Sequence, residues 1–157
     1  MHALAALTAT LAIAGPPQAG VLAPGRSLGG LRLGMTPAQV ETAWGTRHGR
    51  CRDCAQTTWY FTFKRFEPQG AGVAFERGRV AAIFTLWSPS GWRTSRGLAI
   101  GESAARVGTV YGGLLEVQCG TYSALVLPGP RVKTLFYVYD EKVWGFGLSS
   151  AAAPACH

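Results

Sequence analysis

The sequence is poor in the residues from which most active sites are built. Histidine occurs only at positions 2, 48 and 157, and Ser123, Ser149 and Ser150 have no G-x-S-x-G setting. The carboxylates Glu41, Glu67, Glu76, Glu102 and Glu116 are spread over expected caps, helix faces and strand edges, so no nucleophile and base can be paired. Hydrolytic chemistry is therefore disfavoured. No glycine-rich loop joins a strand to a helix, which removes the usual phosphate cradles. Net charge is +7 and twelve of the fifteen basic residues are arginine, yet they scatter from Arg26 to Lys142 without a dense run. Nucleic-acid binding needs a clustered footprint and is not expected. The longest uncharged apolar stretch, from about Leu4 to Ile13, is too short to span a bilayer as a helix.

That stretch is followed by Gly15, Pro16, Pro17, Gln18 and Ala19, and reads as a signal peptide over residues 1–19, although no lysine or arginine precedes it. No cysteine near Ala19 offers a lipid anchor. Export agrees with the four cysteines, Cys51, Cys54, Cys119 and Cys156, because an even count in a short exported chain points to disulfides. Two other uses of these residues are weaker. A redox dithiol places its first cysteine at a helix N-terminus after a strand, whereas Cys51-x-x-Cys54 follows an expected helix and precedes a strand. His48, Cys51 and Cys54 suit zinc, with Cys119, Cys156 or His157 to complete the set, but a second close pair with finger-like spacing is missing. No metal and no cofactor are expected.

What the chain does have is an internal repeat. Residues Gly30 to Gly45 and Gly97 to Gly112 share the pattern G-L-x-[LI]-G-x-[ST]-x-A-x-V-x-T-x-[WY]-G without a gap. A duplicated small unit predicts two similar modules. The boundaries follow: repeat one at 28–87, a linker at 88–96, repeat two at 97–150 and a tail at 151–157. The duplication suggests that each repeat closes its own bridge, Cys51 with Cys54 and Cys119 with Cys156, although spacing by itself does not fix the connectivity.

Within each repeat the patterned block is a short helix. Thr36 is a good N-cap, Pro37 suits the first helical position and Gln39 completes a capping box; Met35 and Val40 occupy staple positions, and Gly45 stops the helix. In the second copy Ser103 caps, Arg106 removes the box, and Gly112 with Gly113 ends the helix. Val40, Ala43 and Trp44, like Val107, Val110 and Tyr111, form one apolar stripe. Helices this short need a sheet to lie on. Thr57 to Phe66 alternates, with Trp59, Phe61 and Phe63 on one side. Gly72 to Glu76 and Arg79 to Phe84 form a hairpin about Arg77-Gly78, and Leu135 to Tyr139 with Lys142 to Leu148 form its counterpart. The fold class is α+β, two tandem repeats, each a short helical segment followed by an antiparallel sheet with helices on one face.

The segment Leu33-Gly34-Met35-Thr36-x-x-Gln39-Val40, with a cysteine pair downstream and a second copy of the unit, resembles the secreted beta-lactamase inhibitor protein (BLIP) family. Its G-M-T-x-x-Q-V core also looks like the outer-membrane assembly lipoproteins of the SmpA/OmlA type. The resemblance implies a helix pair against a curved four-stranded sheet per repeat, with partner binding across the concave sheet.

The strand pattern gives that surface its residues. Opposed residues of a hairpin share a face, so Glu76 with Arg79 and Ala74 with Ala81 lie on one side and Phe75 with Val80 on the other. The charged pair marks the first side as solvent-facing. Carried to the second copy, this side holds Leu135, Tyr137, Tyr139, Lys142, Trp144 and Phe146, and Tyr60 on the first strand joins them as a partner-binding candidate. An exposed aromatic face suggests a partner surface; the competing expectation is that this face is buried against the other copy or under a helix. The expected function is an exported, non-enzymatic binding module that recognises an unknown protein or cell-envelope component, with enzyme inhibition as one version. Alternatives are an envelope structural or assembly factor and, third, a small secreted enzyme.

Overall fold

The computed structural model describes residues 21–62, 70–87 and 91–156, together with Pro16. The expected leader, Pro16 apart, lies outside the described residues, as do Phe63 to Phe66 of the first alternating segment, Ser88 to Ser90 of the linker, and His157. Chain order is β1 (Val21–Ala23), β2 (Ser27–Leu28), α1 (Pro37–Trp44), β3 (Gly49–Arg50), β4 (Thr57–Thr62), β5 (Gly70–Glu76), β6 (Arg79–Leu86), β7 (Arg93–Thr94), α2 (Ala104–Tyr111), β8 (Leu115–Gln118), β9 (Ser123–Leu127), β10 (Val132–Tyr139) and β11 (Lys142–Ser150). The chain is mixed α+β and mostly sheet. One antiparallel sheet of eight strands runs β3-β4-β5-β6-β11-β10-β9-β8, its first four strands drawn from the chain after α1 and the other four from the chain after α2, and β6 meets β11 at the centre. A small second sheet, β2-β1-β7, pairs β1 with β7 in parallel.

Both helices begin as their sequences dictate. Thr36 Oγ1 accepts from the Gln39 N–H while the Gln39 side chain accepts from the Thr36 N–H, and Pro37 occupies the first turn. Ser103 caps α2 by accepting from the Arg106 N–H. The segment before each helix is tied to the sheet by the same two backbone bonds. Gly34 donates to Val80 and Val80 donates to Met35; Gly101 donates to Val143 and Val143 donates to Glu102. These bonds fix where each helix starts, and the apolar stripe then fixes how it docks.

The docked face is the main core. Val40, Trp44 and Val107 pack with Trp59, Phe61, Val73, Phe75, Phe136 and Phe146, all buried. Trp44 meets Phe61 edge-on at 5.2 Å and Trp92 at 5.9 Å, and its Nε1 donates to the Gly29 carbonyl at 2.8 Å. Ala43 departs from the expected stripe and is exposed. Residues 91–96, within the expected linker, also take part in the fold. Trp92 is fully buried, and β7 joins the small sheet through a pairing with β1 that no local pattern announces.

The opposite face is finished by the tail. All four cysteines are bridged, Cys51 to Cys54 and Cys119 to Cys156, which leaves no thiolate there for zinc. The second bridge fastens the end of the chain to the turn after β8. Lys133 Nζ donates to the Ala151 and Ala153 carbonyls, and Ala155 packs against the cluster formed by Phe84, Ala124, Val126, Leu135 and Tyr137. The tail thus lies against part of this face without any helix.

Candidate functional site on the open sheet face

The two hairpins carry matching irregularities that decide which side chains reach this face. In β5–β6 the register shifts between Ala74 and Phe75, so Ala74 opposes Ala82 and Ala81 is the extra residue. In β10–β11 it shifts between Tyr137 and Val138, so Tyr137 opposes Gly145 and Trp144 is extra. A bulge inserts one residue and reverses the alternation beyond it. Phe146 is therefore not on the solvent side as strict alternation implies: it opposes Phe136, is 0 % exposed, and belongs to the helix-side core. Ala74 likewise opposes Ala82 and not Ala81, while all three line one cleft on this face.

Leu135 and Tyr137 do lie on the face away from the helices, but they are 0 % and 1 % exposed, under the tail. Tyr137 crosses β11 where glycine leaves room. A Cβ on Gly147 would lie 2.6 Å from the Tyr137 hydroxyl oxygen, and one on Gly145 would lie 3.2 Å from its ring. The Phe84 ring covers Gly72 in the same manner on the other hairpin. Burial first, and then the neighbouring Tyr122, hold the Tyr137 phenol well above its ordinary value. These residues support the surface and are not themselves presented.

The presented aromatics are Tyr60, Tyr139 and Trp87, at 38 %, 50 % and 42 % exposure, with Trp144 and Tyr122 half-buried between them. Two clefts result. One, of about 360 Å³, lies among Tyr60, Phe84, Ala74 and Ala82, between the Cys54–Gln56 loop and the tail at Ala153 and Pro154. The other, of about 190 Å³, is bounded by Trp87, Thr121, Tyr122, Tyr139 and Trp144. Lys142 stands apart from these aromatics, lining a separate hollow with Ser103 at the start of α2. Trp87 and Tyr122 escaped the sequence reading. The signal for Trp87 is its place directly after β6; Tyr122 sits in a two-strand turn with no periodicity to mark it.

No known family matches the chain, and no curated protein matches it. Among solved structures it is similar to three bacterial proteins. An extracellular protein containing a SCP domain from Bacillus anthracis aligns with TM-score 0.54 at 11% identity over 74% of this chain and 43% of that one. A DUF4309 family protein (YjgB) from Bacillus subtilis aligns at 0.51 and 16% identity over 73% and 78%. A cysteine-rich secretory protein from Staphylococcus aureus aligns at 0.50 and 14% identity over 87% and 49%. The chain thus spans less than half the length of the first and third of these. At such identities the likeness is one of fold.

Proposed function

We propose that the chain is two tandem copies of one helix-plus-four-strand unit, exported and disulfide-bonded, and that it acts as a non-enzymatic binding module. It recognises a protein or cell-envelope component through the sheet face away from the helices, with its arginines steering the approach to an acidic partner. The observation that carries this reading is the contrast on one face. The tail seals Leu135 and Tyr137, while Tyr60, Trp87 and Tyr139 stay exposed around two clefts. Exposed aromatics bordering apolar clefts are the residues that dominate binding energy at interfaces. The matched bulges and paired backbone bonds support the duplication, and the two bridges support an oxidising compartment. Inhibition of a secreted enzyme is the version that the BLIP resemblance adds.

The test is capture on the immobilised protein from culture fluid and from cell-envelope extract. Capture by the wild type and by the helix-side control Arg106→Ala, lost in Tyr60→Ala/Tyr139→Ala with an unchanged melting midpoint, is the expected result. Equal capture by all three contradicts the reading. Capture from envelope alone selects the structural or assembly role.

A further inference from the structure

We propose that the cleft bounded by Trp87, Tyr122, Tyr139 and Trp144 is a cage for an organic cation, an alkylated ammonium or a guanidinium group. This rests on the reading of the open face as a recognition surface and names the chemistry that one part of it takes. The four aromatic side chains arrive from separate places in the fold: directly after β6, the turn between β8 and β9, the end of β10 and the bulge of β11. Ring centroids lie 5.6 Å apart for Trp87 and Trp144, tilted by 48°, and 5.4 Å apart for Tyr122 and Trp144, tilted by 80°. Rings at such angles surround a group and do not stack into a slab.

Stability alone does not account for the arrangement. Trp87 has φ +59, in the left-handed region that a bulky residue adopts only when its surroundings impose it. The imposition is visible: the Trp87 N–H donates to the Trp144 carbonyl at 2.6 Å. The outcome is a tryptophan held on the surface beside the cleft in an unfavourable backbone state.

Charge selects the ligand. An adjoining hollow shares Thr121, Tyr122 and Tyr139 with the cleft and carries Glu116, Asp140 and Glu141. Among the described residues no lysine or arginine lines either hollow, in a chain with fifteen basic residues against eight acidic. Aromatic faces attract cations through the ring quadrupole, and neighbouring carboxylates add to that attraction. An anion meets repulsion from both. The volume of about 190 Å³ is below the roughly 300 Å³ at which pockets begin to enclose a whole ligand, so the cage takes a headgroup whose remainder lies along the face.

Titration with tetramethylammonium chloride at constant ionic strength, followed by tryptophan fluorescence, tests the cage. Tert-butanol supplies a neutral group of similar shape, and an acetylated peptide with a central trimethyl-lysine or arginine supplies the cation on a chain. The expected result is a saturable response to the cation, weaker by about tenfold or more for the alcohol and in Tyr139→Ala or Trp87→Ala. A peptide binding at least about tenfold tighter than the free ion assigns the group to a partner's side chain; equal binding assigns it to a small molecule. No saturable response to ion or peptides, or an alcohol that binds as tightly as the ion, overturns the cage. Partner capture that still depends on Tyr139 in that event leaves the recognition face standing.

Discussion

Tyr137 and Tyr139 are two residues apart on one strand and on one side of it, and they do opposite work. Tyr137 lies on two glycines beneath the tail; Tyr139 stands half in solvent. Truncating Tyr137 to alanine leaves a cavity and is expected to cost about 3–5 kcal/mol of stability, by analogy with other buried aromatics, whereas Tyr139→Ala stays within about 0.5 kcal/mol. Urea unfolding of the two variants measures the difference. The same burial sets an alkaline limit. The unfolded chain releases the Tyr137 proton near its ordinary value of about 10, while the folded chain holds it to higher pH. The folded state then binds more protons, so stability present below about pH 10 is lost as pH rises through the folded value. Tyr137→Phe removes this contribution, and its stability falls less between pH 9 and pH 11. Alternation in the sequence placed both tyrosines on the right side. It misplaced Phe146 because a one-residue bulge leaves no mark in a Gly-rich apolar strand.

At the level of elements, the helices were the most legible part of the chain. Caps, the capping box and the stop glycine are local, made by residues within four positions of each other, so the sequence at Thr36–Gln39 carries its own geometry. Thr36→Ala is expected to cost about 1 kcal/mol and Ser103→Ala a similar amount, each by leaving helix N–H groups without a side-chain acceptor. Thermal melting checks both, and partner capture should be unchanged in either. What the sequence hid at this scale is non-local. β7 exists because Val21 and Leu22 pair with Arg93 and Thr94 some seventy residues away, and Trp92 is buried because that pairing brings it beside Trp44. Nothing within residues 88–96 forecasts either.

For the whole molecule, the bridge between Cys119 and Cys156 decides what the sheet presents. It spans 37 residues, against 3 for Cys51 and Cys54. Loop-closure reasoning gives about 4 kcal/mol for the long ring and about 2 kcal/mol for the short one. Cys156→Ser should therefore lower the melting midpoint more than Cys51→Ser with Cys54→Ser, and should also raise the reactivity of Tyr137 towards solvent probes as the tail lifts. Equal shifts would mean that the tail adds no constraint. The internal repeat suggested the pairing, since Cys51 with Cys54 and Cys119 each follow the patterned helix at a similar distance, but it did not fix the connectivity. That the tail would lie over Leu135 and Tyr137 and leave Tyr60, Trp87 and Tyr139 exposed was not legible, because it depends on where Ala151 to Cys156 run in three dimensions. The partner-binding candidates accordingly divide, with Leu135 and Tyr137 beneath the tail and Tyr60, Tyr139 and Trp144 beyond its cover.

In the proposed function this uncovered aromatic face meets the partner. Hydroxyl-radical footprinting of the protein alone and saturated with its captured partner reads it directly. Oxidation of Tyr60, Trp87 and Tyr139 is expected to fall on binding while that of the exposed helix side, represented by Arg106 and Thr109, is unchanged. Protection of α1 and α2 with those three aromatics as reactive as before would contradict it.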